Sequence, residues 1–192
     1  GAGRGVDDVI YLNGGASGIG GGVIIGGSVV GGTEGYAGEI GHINVSNSAK
    51  LDSAGIRGTL EAEVNRNSLL QALGLESADA EELERLLLSS DSPAVQMEVH
   101  RQIDCLAVAL AATINILNPQ MIILGGFLAS LFAADSERIR AAIECRSLFA
   151  PAENVKISSA ELGSNLLMIG AAELAFEALL ENPAQFMKSK AD

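Results

Sequence analysis

The sequence predicts an α/β fold, a mixed sheet with helices on both faces, from three observations. Sixteen of the 23 glycines lie between Gly1 and Gly41, interleaved with apolar runs that read as strands. The next stretch is helix-forming and ends in one long periodic segment closed by Asn118-Pro119. A continuous apolar run, Met121-Ile122-Ile123-Leu124, then opens an alternation of strand and helix. Antiparallel strands first, followed by strands joined through helical crossovers, give a mixed sheet.

Val9-Ile10-Tyr11-Leu12 marks a strand over about 8–13, and Val23-Ile24-Ile25 one over about 19–25. Gly26-Gly27 between β-branched runs signals a hairpin into a third strand at about 28–30. A short strand is expected at about 40–45. Helix-forming composition spans Thr59 to Leu73, where Gly74 supplies the stop. A second helix fits Ala80–Leu88. Ser92-Pro93 reads as N-cap and first helical position of a long helix reaching Leu117, apolar at Val95, Val99, Ile103, Leu106, Leu110 and Ile114. Asn118-Pro119 ends it. Met121–Leu124 is a buried strand, followed by Gly125-Gly126, a helix around Ser136–Cys145, a strand over Val155–Ser159 and a closing helix over Met168–Leu180. Residues 1–183 read as one domain and 184–192 as a frayed tail.

Composition excludes several classes of partner. The 192 residues are 48% hydrophobic, enough for a sizeable aliphatic core without tryptophan. Lys plus Arg is 12 against 24 Asp plus Glu, a net charge of −12. Such a surface repels phosphate backbones and anionic membranes. Cys105 and Cys145 are too few for a disulfide framework. A cytoplasmic protein is expected.

Two stretches could carry chemistry. At Ala16-Ser17-Gly18-Ile19-Gly20-Gly21-Gly22 the backbone could approach a phosphate, or the glycines could serve only a tight hairpin. Within Gly35-Tyr36-Ala37-Gly38-Glu39-Ile40-Gly41-His42, Glu39 and His42 stand in a charge-poor region. They could grip sugar hydroxyls by charge-assisted hydrogen bonds, or be an ordinary loop carboxylate and an inert imidazole. Glu61 is expected to join them, arriving from the first turn of the 59–73 helix, whose dipole would keep it ionised. That meeting requires the 46–58 loop to fold back.

The element order resembles the ribonuclease H-like subdomain of actin-like ATPases and sugar kinases. More specifically, Gly18-Ile19-Gly20-Gly21-Gly22, Ala37-Gly38-Glu39-Ile40-Gly41-His42 and Gly55-Ile56-Arg57-Gly58-Thr59-Leu60-Glu61 resemble, in order and spacing, motifs of the ROK family of repressors and sugar kinases. Ile114 to Gly126 is similar to that family's late strand and nucleotide-side glycines, and Leu162-Gly163 with Ile169-Gly170-Ala171-Ala172 to its closing helix. The resemblance implies a sugar or sugar phosphate held by Glu39, His42 and Glu61. It implies a phosphate-loop-like set of Ser17, Gly18, Gly20, Gly21, Gly125 and Gly126.

Two departures qualify it. Family members carry zinc on this histidine and three cysteines, whereas the cysteine positions here are Asp52, Ala54 and Thr59. One imidazole and one distant carboxylate cannot close a four-ligand site, so no zinc or other cofactor is expected. Secondly, the family's catalytic Asn-Asp pair and Asp-Gly-Gly-Thr loop would precede this chain, so the chain alone is not expected to be an enzyme. The resemblance then implies the sugar-sensing, homodimerising C-terminal half of a NagC/XylR-like regulator, contacting DNA only through an N-terminal winged helix. The alternatives are the C-terminal half of an ATP-dependent sugar kinase and a bare assembly module with a decayed pocket.

Overall fold

Alternating burial along the first apolar run decides how the sheet is built. In β1 (Val9–Gly14) Ile10 and Leu12 are fully buried, while Tyr11 and Asn13, each next to Leu12, are half-buried. A computed structural model describes residue 3 and residues 5–160 of the chain. Within them β1 pairs antiparallel with β2 (Ile19–Ile25), which turns through Gly26-Gly27 into the two-residue β3 (Ser28–Val29). On its other side β1 pairs parallel with β4 (Met121–Gly126), and β4 pairs parallel with β5 (Lys156–Ser159). The order is β3-β2-β1-β4-β5, a mixed sheet. Register places Ile10 beside Ile122 and Ile122 beside Ile157, so one face is a continuous aliphatic surface against the helices.

Seven helices accompany the sheet among the described residues: α1 (Leu60–Glu63), α2 (Arg66–Leu73), α3 (Ala80–Ser89), α4 (Pro93–Leu117), α5 (Phe127–Ala134), α6 (Ser136–Glu144) and α7 (Phe149–Asn154). α4 has the expected bounds, with Pro93 in its first turn and Asn118 ending it in the left-handed region. Ile103, Leu106 and Leu110 on α4 are fully buried, as are Leu124 of β4 and Leu128 of α5. Ala107, Ala109 and Ala111 are also buried, so α4 is covered on more than its core stripe. No described helix is long and apolar enough to cross a membrane.

Two expectations are corrected, and two further helices appear. The strand expected at 40–45 is a 3-10 turn, Ile40–His42. Its polar groups are satisfied locally, Ile40 N–H by Gly38, His42 N–H by Glu39 and Ile43 N–H by Ile40; only Asn44 makes a bridge, to Thr59. The helix expected over 59–73 breaks at Val64, which is extended and fully buried, and Asn65 caps α2 by accepting from Ser68 N–H. Side chains of α4 take the carbonyls that the break exposes: Arg101 donates to Glu63 O and Gln102 to Asn65 O. α5 and α7 were not expected. α5 follows Gly126 with no polar cap and an almost wholly apolar sequence, and α7 is short with Pro151 inside. The expected helix over Met168–Leu180, the Leu162-Gly163 and Ile169–Ala172 motifs and the 184–192 tail lie outside the described residues.

Candidate functional site

The site grows from the 3-10 turn. Gly41 sits so close to Ile19 O of β2 that a Cβ would collide with it, which seats the turn against the sheet. Glu39 precedes the turn and His42 ends it, and the imidazole Nε2 stands 3.8 Å from Glu39 Oε2. Leu60 N–H then donates to Ile43 O, and Val45 and Ser46 N–H both donate to Gly58 O. The 46–58 loop thus does fold back, bringing the start of α1 beside the turn.

Its fold depends on Asp52. This side chain has no solvent exposure, and its carboxylate accepts four hydrogen bonds. Oδ1 takes Ala54 N–H at 3.0 Å and Ile56 N–H at 2.8 Å; Oδ2 takes His42 Nδ1–H and Thr59 Oγ1–H, each at 2.8 Å. Burial by itself would raise the carboxyl, but these donors outweigh it and hold Asp52 at about 2. Conversely, the bond to Asp52 raises His42 above its ordinary value, against burial, with the negative charges of Asp52, Glu61 and Glu39 adding to the effect. Asp52, expected to be distant, is therefore a direct partner of His42. The two lie ten positions apart, and the loop beyond them is closed by the bridges Asn44–Thr59 and Leu51–Arg57.

Glu61 spans two loops. Its Oε2 accepts from Ile19 N–H and its Oε1 from Ser53 N–H, both at 3.0 Å. Burial pushes it upward, but the Ser53 and Ile19 bonds and the charge of His42 leave it lowered. α1 has only four residues, too short for its dipole to be the chief cause, so backbone donors keep Glu61 ionised instead. Gly18 (φ +148°) permits the contact, because a Cβ there would overlap the Glu61 carboxylate.

Behind it, the buried Glu63 accepts from Ser46, Ser48, Lys50 and Arg101, tying the loop to α4. Burial would raise this carboxyl, yet the Ser48, Ser46 and Lys50 donors bring it to about 2. Nothing in the sequence marked Glu63. Asp52 had a weak signal, an acidic residue shortly before a glycine in a turn.

The phosphate-loop-like set divides by place. Ser17 and Gly18 form the β1–β2 turn, whereas Gly20 and Gly21 are strand residues opposite Asn13 and Leu12. Gly125 and Gly126 end β4 directly beside Asn13 and Gly14. The turn and the β4–α5 junction therefore meet at the carboxyl ends of parallel strands, the usual place for a ligand in an open α/β sheet. A cleft of about 230 Å³ opens there, with Ser17, Gly18, Asp52, Ser53, Glu61, Arg66 and Phe127 among its lining residues. Glu61 lies on that wall; Glu39 and His42 do not line it.

The zinc set implied by the resemblance does not fit these residues. Ala54 has no electron-pair donor on its side chain, Thr59 Oγ1 and His42 Nδ1 donate their protons to Asp52, and the four lone-pair sites of Asp52 are filled.

Comparison with known proteins decides the family. A family model described as ROK family matches residues 1–178. The chain belongs to the ROK family. A xylose repressor of Caldicellulosiruptor bescii is 28% identical over 93% of this chain and 48% of its own length. A glucokinase of Thermotoga maritima is 34% identical over 66% of this chain and 44% of its own. Among solved structures, a ROK family glucokinase from Streptomyces griseus in complex with glucose and AMPPNP superposes with a TM-score of 0.74 at 25% identity, covering 91% of this chain and 62% of that one. The chain spans about half the length of the curated ROK relatives it matches, and its sheet is that of the sugar-kinase, actin-like ATPase fold.

Proposed function

We propose that this chain is the sugar-sensing effector and dimerisation region of a ROK transcriptional regulator. The contact of Glu39 with His42 beside the charge of Glu61 carries the sugar part. An imidazole with one nitrogen committed to Asp52 leaves Nε2 for a ligand hydroxyl, and two carboxylates accept from neighbouring hydroxyls. The regulator part is supported by the match to a xylose repressor along nearly the whole chain. The net charge of −12 disfavours contact of this region with DNA and so supports a reading in which a separate N-terminal winged helix binds a two-fold operator in the cytoplasm. In this reading two copies pair to match that symmetry, and sedimentation should give twice the chain mass.

A second reading, the C-terminal half of an ATP-dependent sugar kinase, is favoured by the higher identity to a glucokinase and by the Ser17-Gly18 turn on the cleft. One experiment separates them. The full-length protein is titrated calorimetrically with xylose, glucose and their phosphates, then assayed for sugar-dependent ADP release. Binding without ADP release supports the regulator; ADP release overturns it in favour of the kinase. Loss of binding in His42→Ala assigns the site, and undiminished binding there removes His42 from it.

A further inference from the structure

We propose that Asp52 is the organising centre of the 42–59 loop, a carboxylate clasp that occupies the role of a bound cation and makes this region metal-independent. A carboxylate offers about four lone-pair sites, and all four are filled here by donors from four different residues. Those donors come from the turn (His42), the loop itself (Ala54, Ile56) and the start of α1 (Thr59), the three segments that must be held together. A multivalent cation would gather electron-pair donors at such a junction. This chain inverts the polarity: an anion gathers N–H and O–H groups.

The inversion has a geometric result. Thr59 caps α1 by accepting from Ala62 N–H while its own proton goes to Asp52, so the clasp also sets the start of the helix carrying Glu61. Ser53, next in sequence, donates its N–H to Glu61. His42 is fixed with its proton on Nδ1, so Nε2 faces Glu39. Asp52 is thus a positioning residue for His42 and Glu61 whether or not the ligand is a sugar, and a failed sugar titration leaves the clasp standing.

The test uses the full-length protein. After dialysis against a chelator, elemental analysis should find well under one zinc per chain, with an unchanged melting temperature. In Asp52→Asn the amide oxygen still accepts from Ala54 and Ile56 but without the charge, so those amides should exchange about threefold to tenfold faster. The His42 ring nitrogens should lose the Nδ1–H signature in nitrogen-15 spectra, a change that general loosening of the loop would not produce. Stoichiometric zinc that survives the chelator, or a melting temperature that falls with it, overturns the proposal. So does Asp52→Asn with unchanged ring-nitrogen shifts. Should that variant not fold, the metal content and chelator response of the unaltered protein still decide.

Discussion

Asp52 and Glu63 are two buried carboxylates on either side of Glu61, and they hold the loop in different ways. Asp52 is satisfied mainly by neutral donors, Glu63 in part by the cations Lys50 and Arg101. Glu63→Ala removes the shared acceptor of Ser46, Ser48, Lys50 and Arg101 while leaving both cations in reach of water, so it should lower unfolding free energy by about 2 kcal/mol in urea titrations. At Gly18, alanine would need the space now held by the Glu61 carboxylate. Gly18→Ala should therefore expose Ile19 and Ser53 amides to exchange and abolish ligand binding, while a control at open Gly20 does neither. The pH dependence follows from the same groups. His42 binds its proton more tightly when folded, so its contribution is complete below 6.5 and declines as pH climbs through its raised value. Asp52 and Glu63 are depressed; their contributions are complete above 3.8 and 4.5 and are lost as pH falls toward about 2. Urea midpoints should peak between these limits, and a profile flat from pH 2 to 5 would contradict the buried carboxylates.

The junction between α1 and α2 explains what the sequence could and could not reveal. Asn65→Ala should cost about 1 kcal/mol through the lost cap of α2, whereas Leu106→Ala, in the fully buried stripe of α4, should cost about 3 kcal/mol by opening a cavity. Thermal unfolding of the two variants checks the ranking. α4 was legible because its three-and-four spacing is a property of the helix alone, β1 and β2 because apolar runs alternate with the glycines, and β4 because its apolar run is continuous. The break at Val64 was not, since what stabilises it, Arg101 and Gln102, lies more than thirty residues away. The 3-10 turn at Ile40 was hidden for a similar reason: Gly41 must fit against Ile19 O, a tertiary demand that overrides the strand-like alternation. For the candidate site, the nearness of Glu39 to His42 was legible from their spacing of three, whereas the cleft takes only Glu61 of the three. The fourfold Asp52 junction was not, because a hydrogen-bonded carboxylate leaves no spacing signature as thiolate ligands do.

Across the chain as a whole, the sheet joins what sequence separates. β1 lies between β2, its neighbour in the chain, and β4, which begins more than a hundred residues later. A protease site inserted between Gly32 and Gly35, where every residue is exposed, should be cut without separating the pieces. The two fragments should co-elute on gel filtration and part only in denaturant; separation in native buffer would show that β1–β4 pairing does not hold them. The two oxygens of Glu61 have a last consequence. Each already receives a backbone N–H, from Ile19 on one side and Ser53 on the other. An incoming hydroxyl must either share an oxygen or evict an amide, and the two cases differ in what they release. Sharing leaves both loops where they are; eviction frees the turn at residues 15–18 or the tip at 51–53. The Ile19 and Ser53 amide resonances are thus native reporters, and which of them moves on titration tells from which side the carboxylate has been approached.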